Sequence, residues 1–192
     1  EVLALVGENG AGKSTLIKIL TGALDGWNGE ILWKGKQLKV HHPWEAQQAG
    51  ISTIYQELTL CPDISVSENV FLGREPKRNG LIDWVKMNEM TAKVLKKLEV
   101  SVSPTAKVSS LTVATQQLIE IARALTMNAQ LIIMDEPTSS LSEHEVLTLM
   151  KIIKDLKADG ISILYISHKF NEIFDISDRI SVLRDGEYVD KI

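Results

Sequence analysis

Cysteine is almost missing from this chain: Cys61 is the single one in 192 residues. One thiol excludes an internal disulfide, which suits the cytosol. Beside Pro62, it reads as a small buried apolar residue and not as a catalytic nucleophile. Proline is scarce, with five residues, and aromatics make up 5%. No apolar run approaches the roughly 18 residues that span a bilayer. No segment has the basic start, apolar stretch and small-residue cleavage site of a signal peptide. Charge of one sign is lacking as well: 21 Lys and Arg stand against 25 Asp and Glu, a net charge of -4. That balance lacks the basic footprint of a nucleic-acid binder, so no nucleic-acid partner is expected. What is there is 44% hydrophobic, enough for one sizeable core or a core with a satellite lobe.

The chain opens on EVLALVG, a buried strand, and closes on DGEYVDKI, a strand after a turn at Asp185-Gly186. Proteins seldom begin or end in mid-core, so a fragment of a longer chain is expected. The beginning alternates as α/β proteins do: strands at Val2–Val6, Glu30–Trp33 and Ile51–Tyr55, helices at Lys13–Leu20 and Trp44–Ala49. From Thr59 to Met127 the signals are mostly helical. Ser65 and Glu68 have capping-box spacing, and Asn88–Leu98 is amphipathic. In Ser109–Leu125, a polar turn precedes a helix with Leu118, Ile121, Ala122 and Leu125 on one face and Gln117, Glu120 and Arg123 elsewhere. Alternation then resumes: a strand at Leu131–Asp135, a helix opened by the Ser142/Glu145 box, a strand at Ile161–Ser167, a helix at Lys169–Ile176 and a strand at Ile180–Arg184. Continuous apolar strands among helices predict a parallel sheet covered on both faces. There is no internal repeat and no low-complexity segment.

Three stretches carry chemistry. GENGAGKST supplies Gly7, Glu8, Asn9, Gly10, Ala11, Gly12, Lys13, Ser14 and Thr15 between a strand and a helix, and fits G-x-x-x-x-G-K-[ST]. Glycines let backbone amides turn inward around phosphates, and the helix N-terminus adds its positive dipole. Lys13 would reach the β- and γ-phosphates, and Ser14 would ligate Mg2+. LIIMDEP ends a strand in Asp135, placed to hold the magnesium shell. Glu136 follows: it either polarises an attacking water or caps a helix. YISHKF puts His168 just past a strand's end, where ligands bind in such sheets; it either donates to a γ-phosphate or is an ordinary surface histidine. Gln56, after ISTIY, either touches magnesium and the attacking water or caps its strand. His41, His42 and His144 are expected to be solvated. Trp27, Trp33, Trp44 and Trp84 are expected to be packing residues.

In this order, these residues resemble the ATP-binding cassette (ABC) ATPases. GENGAGKST looks like the Walker A motif, Gln56 in YQEL the Q-loop, LIIMDE the Walker B motif with its glutamate, Thr138–Ser142 the D-loop and His168 the switch histidine. The resemblance implies a P-loop NTPase fold, RecA-like, with a mainly parallel sheet, helices on both faces and an inserted α-helical subdomain. Residues 1–58 and 127–192 would be the core and 59–126 the helical signature subdomain. PWEAQQAGISTIYQELTLCPDISVSENVFLGRE and YISHKFNEIFDISDRISVLRDGEYV look like the monosaccharide-importer branch, in which one polypeptide carries two ATPase halves; this looks like the first.

Leu111–Thr115 lies where the family carries its signature turn. Thr112, Val113 and Ala114 would face the γ-phosphate held by a second ATPase half, with Thr112 as N-cap. Val113 and Ala114 depart from the usual paired glycines, and Thr115 from the usual glutamine. The family's adenine-stacking aromatic would lie upstream of Glu1. The resemblance implies ATP and Mg2+ as ligands, Glu136, His168 and Gln56 as catalytic residues, and Ser14, Gln56 and Asp135 at the metal. It also implies a membrane permease, an external sugar-binding protein and a place on the cytoplasmic face of the membrane. Two other functions stay open: a non-transport ABC ATPase, and a nucleotide-binding regulatory module without hydrolysis.

Overall fold

The computed structural model describes residues 1–191. Five mostly apolar residues, Val2–Val6, form β1, and the chain turns through glycines into α1, Lys13–Leu20. Ile31–Trp33 (β2) and Lys36–Leu38 (β3) make an antiparallel hairpin. Its turn residues, Lys34 and Gly35, both have positive φ (53° and 75°), which matches the twist of a two-residue hairpin. Next come α2 (Pro43–Gln48) and β4 (Ile51–Ile54). Residues 59–126 hold α3 (Val66–Phe71), a small hairpin of β5 (Lys77–Arg78) and β6 (Leu81–Ile82), α4 (Trp84–Lys97) and α5 (Val113–Thr126). Alternation follows in β7 (Leu131–Asp135), α6 (Glu143–Ala158), β8 (Ser162–Ile166), α7 (Phe170–Ile176), β9 (Arg179–Arg184) and β10 (Glu187–Lys191).

Among the described residues the main sheet has the order β10-β9-β1-β8-β7-β4. Strands β9, β1, β8, β7 and β4 are parallel, and β10 returns antiparallel on β9. The pleat sends alternate residues to opposite faces. Val2, Ile132, Met134, Ile163 and Tyr165 join a core with α5, α6 and the helices of 59–126. Leu5, Ile133, Leu164 and Ile166 face Ile17 of α1 and Ala46 of α2. Both faces are covered, which is why these strands read as unbroken apolar runs. The first core is continuous from Ile132 and Met134 to Val66, Met87 and Leu95, and α5 packs against β4, α3 and α4.

Several expectations need correction. Glu30–Trp33 yields a strand, but in a hairpin separate from the main sheet. Its partner β3 escaped notice because KGKQLK has no apolar alternation. The β5–β6 hairpin also went unread, although Asn79-Gly80 is a strong two-residue turn pair (φ 52° and 83°). Helix α4 starts at Trp84, before the expected Asn88, with Asp83 accepting from the Lys86 N–H at 3.0 Å.

Trp44 and Trp84 are 54% and 50% exposed and are not packing residues. Each sits in the first turn of a helix whose inward face is taken by a smaller or more slender residue, Ala46 or Met87. Cys61 is exposed, not buried. Its main chain is held by Asn69, which accepts from Cys61 N–H at 2.7 Å and donates to its carbonyl at 2.9 Å. That clamp fixes the backbone and leaves the thiol outside.

Helix α5 departs from its apolar stripe. Leu118 and Leu125 are half-buried, whereas Gln117 and Glu120 are buried. The helix is enclosed between β4 and the other two helices, so its polar side is covered too. Glu120 is 2% exposed because its carboxylate accepts from the Thr59 N–H (2.8 Å) and hydroxyl (2.7 Å).

Candidate functional site

The site grows from the carboxyl ends of β1, β7 and β8. After β1 the chain passes so close to β9 that a Cβ on Gly7 would lie 2.4 Å from the Leu183 carbonyl oxygen. Only glycine fits there. Gly10 and Gly12 take positive φ (86° and 101°), and Gly12 starts α1 from a left-handed conformation. The loop is braced by Ala11 N–H donating to Glu8 O (3.1 Å) and Gly186 N–H donating to Ala11 O (3.1 Å). No side chain caps α1, and its first turn has no acidic residue. The first-turn amides of Lys13, Ser14 and Thr15 have no intrahelical acceptor, so they and the helix dipole favour an anion. The Lys13 ammonium curls over the loop, donating to Gly7 O (2.6 Å) and Glu8 O (3.0 Å).

Across from the loop, β7 ends in Asp135. Burial, and then the neighbouring Glu136, raise its carboxyl above the ordinary value, while Lys13 opposes them. Two carboxylates facing one cation in a half-buried cleft form an arrangement that welcomes more positive charge. At Glu136 the chain turns through a left-handed φ of 46°. Its N–H donates to Ile166 O (2.9 Å), so the loop after β7 is fastened to the end of β8. That turn is how adjacent residues Asp135 and Glu136 come to line the same cleft. His168, 69% exposed, places Nδ1 3.2 Å from Glu136 Oε1.

A cleft of about 370 Å³ is lined by Asn9, Gly10, Gly12, Lys13, Ser14, Thr15, Gln56, Asp135 and Glu136. His168 joins this group through Glu136. Thr112, Val113 and Ala114 do not; they open α5 elsewhere on the molecule. Thr112 is the N-cap, accepting from the Thr115 N–H at 3.3 Å. Gln116 turns back to donate to Leu111 O (2.9 Å) and Val108 O (3.3 Å), which stiffens this turn.

Among the described residues, no group of three or more His, Cys, Asp or Glu side chains could hold a metal ion. The Ser14 hydroxyl, Asp135 carboxylate and Gln56 amide oxygen are instead a sparse set of hard oxygen donors. Such a set fits Mg2+, which takes few protein ligands and completes its shell with water and phosphate oxygens.

Two features of the site were not foreseen. The first is a buried polar network behind Glu136 and His168, centred on Glu172 and including Thr138, Tyr165 and Ser167. A glutamate four positions after His168, facing a tyrosine in an apolar strand, was its only trace in the sequence. The second is a larger cavity, about 980 Å³, between the sheet and the 59–126 helices. Trp44, Tyr55, Leu72, Arg74 and Arg123 are among its walls. Burial, and then the proximity of Arg123, lower the Arg74 guanidinium from its ordinary value.

Comparison with known proteins agrees with this architecture. Residues 1–139 match the family model described as ABC transporter. The chain is 48% identical over 191 residues to the xylose import ATP-binding protein XylG of Thermoanaerobacter pseudethanolicus, covering 98% of this chain and 38% of that protein. It is 49% identical over 191 residues to the ribose import ATP-binding protein RbsA of Geobacillus kaustophilus, covering 98% of this chain and 39% of that protein. The chain therefore spans well under half the length of these curated relatives. Among solved structures, the ADP conformation of MJ1267, an ATP-binding cassette of an ABC transporter, superimposes with a TM-score of 0.86 at 28% identity, over 100% of this chain and 79% of that one. A dimeric post-hydrolysis state of the cassette MJ0796, bound to ADP and Pi, does so with a TM-score of 0.82 at 26% identity, over 100% and 84%. The fold is that of the P-loop NTPases, and this chain belongs to the ABC transporter family.

Proposed function

We propose that this chain is an ATP-hydrolysing unit that energises import of a monosaccharide. The observation that carries the reading is the single cleft in which the uncapped start of α1, Lys13, Asp135, Glu136 and Gln56 meet. In this reading the amides of residues 10–15 and Lys13 hold the ATP phosphates. Lys13 exchanges its two carbonyl partners for phosphate oxygens. Ser14, Asp135 and Gln56 would hold Mg2+, which when bound neutralises phosphate charge. Glu136 orients and polarises a water whose oxygen bonds to the γ-phosphorus as the bond to the bridging oxygen breaks and ADP leaves. His168, oriented by Glu136, stabilises charge on the γ-phosphoryl oxygens. Its Nε2 can donate only when the ring is doubly protonated, if Nδ1–H is given to Glu136.

Residues 1–58 and 127–192 serve as the core, and 59–126 as the helical subdomain. The start of α5, with Thr112, Val113 and Ala114, lies away from the chain's own cleft. In this reading it serves the nucleotide of a second ATPase half. The 980 Å³ groove, with its aromatic walls and two arginines, receives a membrane permease, and Gln56 and the helical subdomain carry the closing movement to it. The sugar reaches that permease from an external binding protein, and this unit works at the cytoplasmic face. The import functions in the names of the 48–49% identical relatives support the sugar assignment.

Glu136→Gln tests the reading in the full-length protein with its permease. ATP should bind as in wild type while hydrolysis falls by about a hundredfold or more. Near-normal turnover in that variant would sink the catalytic assignment. ATP binding without phosphate release in the wild-type assembly would favour a regulatory module instead.

A further inference from the structure

One buried carboxylate joins the two loops that bear Glu136 and His168. Glu172, on α7, is 9% exposed. Its Oε2 accepts from the Thr138 hydroxyl at 2.8 Å, the Tyr165 hydroxyl at 2.7 Å and the Ser167 hydroxyl at 3.3 Å. Its other oxygen lies 3.3 Å from the Lys169 ammonium, which also donates to Thr138 O (3.1 Å) and Thr138 Oγ1 (3.2 Å). Thr138 is two residues after Glu136, and Ser167 immediately precedes His168. Thr138, Tyr165 and Ser167 are all buried, so water does not compete for these bonds.

We propose that Glu172 is a positioning residue for ATP hydrolysis, its carboxylate holding the Glu136 loop and the His168 loop in one register. The inference rests on the hydrolytic reading above. Glu172 touches neither the cleft nor Glu136 itself; it acts through Thr138 and Ser167. This buried anion is engaged by three hydroxyl donors and one ammonium, and two of those hydroxyls, on Thr138 and Ser167, lie on the loops that bear Glu136 and His168. The distance it sets is that between Glu136 Oε1 and His168 Nδ1, now 3.2 Å. Misplacing reacting groups by about an ångström can cost on the order of a hundredfold in rate.

The test is steady-state kinetics of the full-length protein with its permease, comparing wild type, Glu172→Ala, Glu172→Gln, Thr138→Val, the Thr138→Val/Glu172→Ala pair and Glu136→Gln. Glu172→Ala should lower kcat by roughly tenfold to a hundredfold with KM for ATP within about twofold. Glu172→Gln keeps an acceptor oxygen for Thr138 and Ser167 and should recover most of the loss. The pair should be no slower than Glu172→Ala alone, because both changes cut the same tie. Unchanged kcat in Glu172→Ala would overturn the proposal. So would a parallel loss of kcat and ATP affinity that Gln does not rescue, the mark of a purely structural role. Wild-type turnover in Glu136→Gln would instead overturn the hydrolytic reading, and this proposal with it.

Discussion

Asp135 shows what one residue costs at this site. Burial first, and Glu136 second, push its carboxyl above the ordinary value of 3.8. The folded chain therefore holds this proton more tightly than the unfolded chain does. As pH rises from below 3.8 through the raised value, the folded state loses stability relative to the unfolded one. Asp135 is half-buried, and the Lys13 ammonium opposes the shift, which keeps the loss small. Asp135→Asn, free of nucleotide and magnesium, should melt roughly 1–3 °C higher at pH 7, as read by calorimetry. The gain should fade as pH falls through the raised value and vanish below the ordinary one. Added Mg2+ and ATP should raise the midpoint of wild type more than that of the variant. Asp135, Glu136 and the glycines were legible because a strand end and a phosphate-type loop are local features of the chain. Glu172 was not, because its partner Thr138 lies 34 positions away and Tyr165 is hidden in an apolar run.

Three helices begin with the same hydroxyl cap and differ in its completion. In α3, Ser65 N–H donates to Glu68 at 2.8 Å, and in α6, Ser142 N–H donates to Glu145 at 2.9 Å. In α5 the fourth position is Thr115, whose N–H donates to the Thr112 hydroxyl at 3.3 Å and whose own hydroxyl pairs with it at 3.0 Å. No reach-back to the Thr112 N–H is possible from so short a side chain. Thr115→Glu should complete the box and stabilise the domain by about 0.5–1 kcal/mol, measured by urea titration. If the start of α5 faces a second half's γ-phosphate, the same charge should slow hydrolysis in the paired protein. A stable variant with undiminished paired activity would count against that assignment of Thr112, Val113 and Ala114. The Ser65 and Ser142 boxes were readable from spacing, and the Thr112 cap from the family resemblance. The burial of Gln117 and Glu120 was not, since it depends on what packs over α5.

At the scale of the whole molecule, α5 is the shared wall. Its buried Ile119, Ile121 and Ala122 belong to the same core as Ile132 and Met134 of β7 and as Met87 and Leu95 of α4. One continuous core predicts one cooperative unfolding. Ile121→Ala should destabilise the domain by roughly 2–4 kcal/mol. Hydrogen exchange at α4 and at β7 should report the same loss, since both would open together. If α4 were weakened while β7 kept its full protection, the two regions would be separate units and the single-core picture would fail. The larger groove is walled by α2, β4 and, through Arg123 and Thr126, the last turns of that same α5.

The amino-acid sequence alone determined the α/β alternation, the helix caps, the phosphate-type loop and the acids at the end of β7. Each depends on residues within a few positions of one another, where dihedral preference, glycine freedom and hydrophobic period act directly. Tertiary structure decided the rest. The strand order brought β1, β7 and β8 together and so put His168 against Glu136, 32 positions away. Packing between helices buried Glu120 and left Trp44 and Trp84 outside. Close passage of β9 made Gly7 obligatory. These outcomes depend on excluded volume and on burial of polar groups beside distant partners, and no local stretch of sequence encodes which partner will arrive.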